Sequence, residues 1–116
     1  MNASEVRDRL QEERRRVAEQ VESLRASLAR SLEDEIEEDG SDSHPGDSAT
    51  ATFDREVEVT LEDTLVDQLA QIDGALERVE AGTYGVCTEC GRGIAPDRLE
   101  ALPYTDRCID CARAHP

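Results

Sequence analysis

Two cysteine pairs near the C-terminal end of the sequence, Cys87-Thr-Glu-Cys90 and Cys108-Ile-Asp-Cys111, decide its fold. The chain contains no other cysteine, and 17 residues separate the two pairs. A C-x₂-C pair repeated after a spacer of about 15–20 residues is typical of a structural zinc site, because the short gap brings both sulfurs of a pair to one ion. Four thiolates fill the tetrahedral coordination of Zn²⁺ and leave no position for water. The spacing therefore predicts one structural zinc ion bound by Cys87, Cys90, Cys108 and Cys111.

Disulfides, a redox C-x-x-C motif and an iron–sulfur cluster are the alternatives for these cysteines. The first seven residues contain no apolar signal segment, which predicts a protein of the reducing cytoplasm, where disulfides are rare. A thioredoxin-like motif occurs once and in a βαβ context, whereas this chain has two pairs without that pattern. An iron–sulfur cluster stays open as an alternative at this point.

Composition and charge limit the fold and the partners. The 116 residues include one Phe, two Tyr and no Trp, and 35% of them are charged, which favours long helices that bury one face over a compact core. The net charge is −15, all 13 basic residues are arginine, and residues 33–58 hold eleven acids against Arg55 alone. DNA, RNA and anionic membranes would repel such a chain. No apolar run reaches the roughly 18–20 residues that span a bilayer, so we expect a soluble cytoplasmic protein.

A first long helix is predicted from residue 3 to about residue 39. Glu, Arg, Gln and Ala separate its apolar positions, and neither Gly nor Pro interrupts it. Asn2 with Glu5 is a capping pair for its start, and Gly40 is a natural stop. Its apolar residues, at the spacing of one helix face, are Val6, Leu10, Val17, Val21, Leu24, Leu28, Leu32 and Ile36.

A second long helix is predicted to begin between Asp47 and Thr52 and to end at Ala81, before Gly82. The turn-forming segment Gly40-Ser-Asp-Ser-His-Pro-Gly46 separates it from the first helix. Its apolar residues step by four and three, as in a heptad repeat, and a further set continues them towards the turn. The heptad set is Leu65, Leu69, Ile72, Leu76 and Val79, and the continuation is Phe53, Val57 and Leu61.

The predicted fold is all-α: an antiparallel coiled-coil hairpin over residues 1–81, with its tip at about 40–52, followed by a C4 zinc finger over 82–116. A short C-terminal helix is expected to open at the second cysteine pair and to end near Ala114. Val59 and Val66 lie off the main stripe, and we expect them to pack against the finger or the N-terminus, with a dimer contact as the alternative. Counting back from the turn, we expect Leu65, Leu69, Ile72 and Leu76 to face Val17, Val21, Leu24 and Leu28.

Two stretches carry a resemblance to a known family. Gly82-Thr-Tyr-Gly-Val-Cys87-Thr-Glu-Cys90-Gly, with Ile94, Arg98-Leu-Glu-Ala101, Pro103 and the second cysteine pair, resembles the C4 zinc finger of the DksA/TraR family. Asp42-Ser-His-Pro-Gly-Asp-Ser-Ala-Thr50, with Phe53-Asp-Arg-Glu56, resembles the coiled-coil tip of the shorter members of that family. The first helix is similar in pattern alone.

The resemblance implies a transcription regulator that binds RNA polymerase rather than DNA and is not an enzyme. In such proteins the hairpin enters the secondary channel of the polymerase, and its tip approaches the active centre. The family's tip motif, Asp-x-x-Asp-x-Ala, falls on Asp47 and Ala49, while His44 occupies the first position and Asp42 lies two residues earlier. These four residues are the candidate polymerase contacts. A plain turn role for His44 and an N-cap role for Asp47 are the simpler alternatives.

The resemblance also bears on other partners. Relatives that act with the alarmone guanosine tetraphosphate carry a longer N-terminal segment and a longer C-terminal helix than this sequence has, so the resemblance does not imply synergy with that nucleotide. We expect a monomer. The alternative function is a zinc-stabilised helical scaffold, or a stress-associated protein, whose hairpin pairs with a different protein.

Overall fold

A computed structural model describes residues 2–37 and 45–115 of the chain, and the side chains of residues 2–33 and 53–115. The described residues form four helices and no β-strand; one isolated β-bridge joins Val86 to Gly93. The predicted all-α class, two long helices followed by a cysteine cluster, is confirmed. The helices are α1 Ala3–Glu37, α2 Pro45–Ala81, α3 Pro96–Ala101 and α4 Ile109–Ala114.

The start of α1 is capped by Asn2, as predicted. The Asn2 Oδ1 atom accepts a hydrogen bond of 2.8 Å from the backbone N–H of Glu5, which satisfies one of the free donors of the first turn. No Gly or Pro lies within the helix, so its 35 residues run without a break. The described helix extends to Glu37, and the last two residues of the predicted span lie outside the described residues.

Helix α2 begins earlier than predicted and ends where predicted. Its first residue is Pro45, which suits the first helical position because its fixed φ matches the helix and its missing N–H would have no partner there. At the other end, Gly82 has φ of 76° and its N–H donates to the Val79 carbonyl at 3.3 Å. The Thr83 N–H donates to the Arg78 carbonyl at 2.9 Å. These two bonds form a Schellman motif that requires a left-handed residue, which explains the glycine.

The chain divides into two compact units. The first unit comprises residues 1–16 and 68–116, and the second comprises residues 17–67. This grouping differs from the predicted domains 1–81 and 82–116, and that division stays a prediction. Within the described residues, no helix combines the length and apolar character that crossing a membrane requires.

Helices α1 and α2 pack antiparallel within each unit, and ion pairs define their register. In the first unit, Arg7 pairs with Glu80 and Arg14 with Asp73, each at 2.7 Å. In the second unit, Arg25 pairs with Glu62 at 2.6 Å. In each of these three pairs the two residue numbers add to 87, so a residue of α1 lies opposite the residue of α2 whose number completes that sum.

This register corrects the predicted one. The predicted sets, paired in antiparallel order with Leu65 opposite Leu28 and Leu76 opposite Val17, have residue numbers that add to 93, so the observed register is displaced by six residues. In the first unit Leu76 consequently lies level with Gln11 rather than Val17. The prediction was counted back from a second helix that begins between Asp47 and Thr52, whereas the observed α2 begins at Pro45.

Most buried apolar side chains belong to the first unit. Leu10 and Ile72 are fully buried, and so is the side chain of Cys87. The predicted stripe of α2 is confirmed at Leu65, Ile72 and Val79, which are buried. Among the described residues, the buried apolar set of the first unit is Val6, Leu10, Ile72, Ala75, Val79, Cys87 and Ile94, and that of the second unit is Val17, Val21 and Leu65.

The predicted continuation of the α2 stripe towards the turn is wrong. Phe53, Val57 and Leu61 are exposed, at 64%, 51% and 47%. They follow one another by steps of four only, and each such step advances the side chain by about 40° around the helix. Phe53 is therefore about 120° away from the direction of buried Leu65. A stripe that keeps facing a partner helix must alternate steps of three and four.

The expected packing of Val59 and Val66 against the finger or the N-terminus is also wrong. Both side chains are exposed, at 44% and 39%. The half-buried positions of α2 in this region are instead charged, namely Arg55, Glu58 and Glu62, and they continue back from Leu65 by steps of three, four and three. In the second unit, the face of α2 that is turned to α1 is therefore largely polar.

Candidate metal centre

The first cysteine pair lies in a tight turn whose backbone is held by three hydrogen bonds. The Cys87 N–H donates to the Arg92 carbonyl at 2.8 Å, and the Gly91 N–H donates to the Cys87 carbonyl at 3.0 Å. The Ile94 N–H donates to the Gly85 carbonyl at 2.8 Å, beside the bridge that joins Val86 to Gly93. Gly91 has φ of 75°, in the left-handed region, so a glycine is needed for the predicted knuckle directly after Cys90.

The second cysteine pair lies at the start of α4. Cys108 is the residue before the helix, with φ of −71° and ψ of 166°, and Cys111 is its third residue. The Ala112 N–H donates to the Cys108 carbonyl at 3.0 Å, which closes the first turn and turns both cysteines to the same side of the chain. The predicted helix opening at this pair and ending at Ala114 is confirmed.

Hydrogen bonds join the two cysteine turns directly. The backbone N–H of Thr88 and its side-chain hydroxyl both donate to the Asp106 carbonyl, at 2.8 and 3.1 Å. Arg107 lies 3.7 Å from a carboxylate oxygen of Glu89. Protein contacts therefore hold the two turns together, in addition to the link that a metal ion on the four sulfurs would supply.

The four sulfurs have the spacing of one tetrahedral site. All four Sγ atoms lie within 4.8 Å of one another, and those of Cys90 and Cys108 are 3.7 Å apart. Zinc–sulfur bonds of about 2.3 Å in a tetrahedron place neighbouring sulfurs about 3.8 Å apart. None of the four is in a disulfide. The donor set and its spacing fit one zinc ion.

The acidity of the thiols also fits a cation. Backbone N–H groups of Cys108 and Cys90 point at the Cys87 sulfur and lower the pKa of its thiol to about 6. Hydrogen bonds with the neighbouring sulfurs, first Cys108 and then Cys87, hold the proton of the Cys111 thiol and raise its pKa. Four thiolates so close together repel one another, and a bound divalent metal ion would stabilise them by offsetting half of their charge.

Polar side chains attach the segment around the cysteines to the rest of the first unit. The Arg78 Nη2 donates to the carbonyl oxygens of Tyr104 and Thr105, at 3.3 and 3.5 Å. The Tyr84 hydroxyl donates to the Pro103 carbonyl at 2.8 Å, and burial raises the pKa of this tyrosine. Arg9 of α1 donates to the Glu100 carbonyl.

Sequence reasoning missed these contacts and helix α3. Their acceptors are backbone carbonyls, which carry no sequence signal, and the arginines are single members of an arginine-rich chain. The one available signal for α3 was Pro96 followed by Asp97, a proline and an acid in a first helical turn.

The structure describes the backbone of two of the four predicted tip residues. Asp42 and His44 lie outside the described residues. Asp47 and Ala49 lie in the first two turns of α2, and their side chains also lie outside what is described. Because α2 begins at Pro45, Asp47 is its third residue, and the alternative interpretation of Asp47 as the N-cap is wrong. An acid at this position is still favourable, since the N-terminal end of a helix dipole is positive.

The fold and the cysteine cluster define a class of protein, a long helical hairpin with a four-cysteine zinc finger. The family model for the prokaryotic dksA/traR C4-type zinc finger matches residues 82–116. The solution structure of the DnaK suppressor protein from Agrobacterium tumefaciens C58 is 32% identical, with a TM-score of 0.61, over 98% of this chain and 94% of that one. The chain belongs to the DksA/TraR C4 zinc-finger family.

Two further relatives carry functional names. The structure of transcription factor DksA2 from Pseudomonas aeruginosa is 27% identical with a TM-score of 0.78, covering 97% of this chain and 81% of that one. The RNA polymerase-binding transcription factor DksA of Caulobacter vibrioides is 38% identical over 69 residues, which are 60% of this chain and 49% of the relative. The first curated relatives are matched over 26% to 50% of their own length.

Proposed function

We propose that this chain is a transcription regulator that binds RNA polymerase directly and does not bind DNA. The observation that carries the proposal is the likeness of both the hairpin and the finger to proteins named as transcription factors, one of them named as RNA polymerase-binding. Members of this family are regulators rather than enzymes, and we extend that to this chain. Cytoplasmic action as a monomer completes the proposal.

The proposed contact is the tip of the hairpin, inserted through the secondary channel of the polymerase. Two packed helices are about two helix diameters wide, roughly 20–24 Å, so a hairpin suits a narrow channel. Residues 17–67 carry 16 acids and three arginines, a net charge of −13 out of −15. Such charge favours a basic channel or a catalytic metal ion and disfavours nucleic acid.

Within the tip, we assign the leading roles to Asp47 and Ala49. Asp47 would bring a carboxylate close to the catalytic centre, and Ala49 would allow close approach because its side chain is small. Asp42 and His44 are secondary contacts, with His44 occupying the position where the family motif has an acid. The binding area along the helices and the finger would supply most of the affinity.

The zinc ion is proposed to be structural, with Cys87, Cys90, Cys108 and Cys111 as its ligands. A bound zinc ion would offset half of the charge of the four thiolates and link the two cysteine turns. The protein contacts around it orient the sulfurs: the backbone N–H groups at Cys87 favour its thiolate, and Thr88 joins one turn to the other.

The proposal is tested by two measurements on purified protein and polymerase. A photo-cross-linking residue at position 49 should form a cross-link to the polymerase beside its catalytic centre, whereas the same residue at position 19, an exposed site on α1, should form none at that place. Asp47→Asn should abolish the effect on transcription in vitro and leave polymerase affinity within about threefold. Asp54→Asn, an exposed acid two turns further along α2, is the matched control.

Two outcomes would contradict the proposal. One is an unchanged transcription profile for both Asp47→Asn and Ala49→Thr. The other is tight binding to DNA alone at physiological salt. Either result would favour the alternative function, a zinc-stabilised scaffold with a different protein partner.

A further inference from the structure

Helix α2 carries an apolar groove on the surface of the second unit. Its volume is about 470 Å³, and three large apolar side chains form much of its lining. Those three residues, Phe53, Val57 and Leu61, are exposed in the free chain. The groove, called the outer groove below, is lined by Phe53, Glu56, Val57, Thr60, Leu61 and Thr64.

The outer groove has the geometry that accepts another helix. Its lining consists of two rows in which each residue follows the previous one by four: one row begins at Phe53 and the other at Glu56. Rows of this kind are the ridges of a helix surface, and a second helix packs by placing its own ridge in the groove between them. The shape therefore points to a helical occupant.

The threonines of the second row add to the apolar character. The Thr60 hydroxyl donates to the Glu56 carbonyl at 3.0 Å, and the Thr64 hydroxyl donates to the Thr60 carbonyl at 3.1 Å. Each hydroxyl proton is used by the helix itself. Neither threonine therefore needs a polar partner in the groove, and its side chain can be covered by apolar surface without leaving a donor unsatisfied.

Helix α1 leaves this groove open. The face of α2 turned to α1 in the second unit includes Glu62, which pairs with Arg25, and buried Leu65. Val57 lies about 80° around the helix from Leu65, and Phe53 about 120°. Apolar surface that is exposed in the free chain and bordered by charge is typical of an interaction site.

Charge selects the kind of helix that fits. Glu56, Asp63 and Asp67 lie on one side of α2 and form an exposed acidic border beside the groove. None of the three carboxylates belongs to the ion pairs that join α1 and α2 in the described part of the chain. The unit that contains them has a net charge of −13. A second copy of this chain or an anionic membrane would be repelled, whereas a basic helix would be attracted.

We propose that the outer groove binds a basic amphipathic helix of a partner protein. An apolar ridge of that helix packs between the two rows of α2, and its Lys or Arg side chains pair with the acidic border. This docking site is distinct from the hairpin tip and requires neither Asp47 nor Ala49. The inference goes beyond the proposed function, since it holds whether or not the partner helix belongs to RNA polymerase.

A designed peptide tests the proposal on the full zinc-loaded chain. The probe is an 18-residue amphipathic helix with a leucine ridge flanked by lysines, and its binding is measured by fluorescence anisotropy. One control peptide has the same composition in scrambled order, so that it keeps the charge and loses the apolar ridge. In a second control peptide glutamate replaces lysine. Binding of the probe, and little or no binding of either control, is expected.

Variants of the protein locate the site. The double variant Val57→Ala and Leu61→Ala should weaken probe binding by about tenfold or more, because it removes apolar side chains that the probe covers. The matched control is Val59→Ala with Val66→Ala, since those valines are similarly exposed and lie about 160–180° from Val57 around the helix. The control should bind the probe within about twofold of the unchanged protein.

Several outcomes would overturn the proposal. These are equal weakening by both double variants, equal binding of the scrambled peptide, and a chain dimer that Val57→Ala with Leu61→Ala dissociates. The last result would assign the groove to a second copy. Asp47→Asn should leave probe binding unchanged, so a failure of the polymerase proposal and a failure of this one give different results.

Discussion

The two compact units of this protein are stabilised in different ways. The first unit, residues 1–16 and 68–116, has 12 acids, ten arginines and a net charge of −2, while the second, residues 17–67, has a net charge of −13. The first contains most of the buried apolar side chains and the cysteine cluster, whereas the second exposes Phe53, Val57, Val59 and Leu61. Both contain segments of the same two helices, so helix formation alone does not explain the difference.

The comparison teaches that a helix pair can be built for two purposes. Where apolar side chains and a metal site support it, the pair acts as a stable base. Where its inner face is polar and its outer face is apolar and acidic, the apolar side chains are exposed and contribute little to the stability of the chain. Such a surface is suited to a partner. Five experiments, from the largest expected effect to the smallest, test this contrast.

Loss of the metal should disrupt the first unit most. Structural zinc contributes about 10–16 kcal/mol of apparent binding energy, more than the stability of many small domains. Cys90→Ser should therefore unfold the cysteine-rich segment while much of the hairpin stays helical, as seen by circular dichroism and by amide exchange. Elemental analysis should find one zinc per unchanged chain.

The neighbouring exposed residue offers the control for that experiment. Glu89→Gln changes the charge beside Cys90 and removes no ligand, so it should retain zinc. Iron in place of zinc, or no metal in the purified protein, would show that the assignment of the cluster is wrong.

Acid should release the zinc. The pKa of Cys87, about 6, lies below the ordinary value of a thiol, so its thiolate persists in the folded chain until the pH falls through about 6. Protons compete with the metal for sulfur, and stability that depends on the thiolate, present at high pH, is lost as the pH falls through about 6. A chromogenic chelator should report little release at pH 7 and progressive release below pH 6. Release that does not depend on pH would contradict this account.

Core truncation should affect the two units very differently. Ile72 is fully buried in the first unit, and Ile72→Ala should cost about 2–5 kcal/mol of unfolding free energy. In a domain of this size, that lowers the melting temperature by roughly 10 °C or more. Val57→Ala, a truncation at an exposed site of the second unit, should change stability by no more than about 0.5 kcal/mol. Comparable losses for both variants, measured by thermal denaturation, would mean that Val57 is buried in the free chain.

Salt should stabilise the second unit selectively. Raising the salt from 0.1 M to 1 M shortens the screening length from about 10 Å to about 3 Å, which weakens repulsion among its 16 acids. Amide exchange in residues 17–33 and 53–67 should slow severalfold. Amides of residues 3–16 and 68–81 serve as the internal reference and should change less than about twofold. A uniform response along both helices would remove electrostatics as the source of the contrast.

The ion pairs between the helices should give the smallest effects. Arg14 pairs with Asp73 in the first unit, a contact that raises the pKa of the arginine, and Arg25 pairs with Glu62 in the second. Exposed pairs contribute about 0.2–1 kcal/mol. The coupling should be larger for the second pair, because the Glu62 side chain is 19% exposed and that of Asp73 is 49% exposed.

Double-mutant cycles provide the measurement. They use Arg14→Gln with Asp73→Asn, and Arg25→Gln with Glu62→Gln, and they compare unfolding free energies. If the Arg14 pair showed the stronger coupling, burial of Glu62 would not strengthen its ion pair.

Local features of this protein could be predicted from the sequence alone. The zinc finger follows from the spacing of Cys87, Cys90, Cys108 and Cys111, because two-residue gaps allow few other arrangements. The end of α2 follows from Gly82, and the knuckle from Gly91, since each needs a left-handed backbone that other residues rarely adopt. The first long helix follows from a continuous run of helix-forming residues, and the second follows from apolar residues at heptad spacing. These signals are contained within a few neighbouring residues, which is why they could be found without a structure.

Tertiary structure decided the register of the helices and which apolar residues are buried. The register depends on how the two helices pack, and the ion pairs place every predicted pairing six residues away from its observed position. Phe53, Val57 and Leu61 looked like core residues by their spacing, but steps of four rotate them away from α1. Arg55, Glu58 and Glu62 occupy the inner positions instead. Burial depends on which side of α2 faces α1, a helix that is distant in the sequence. The spacing of apolar residues predicts that side only when it fits a single helical period.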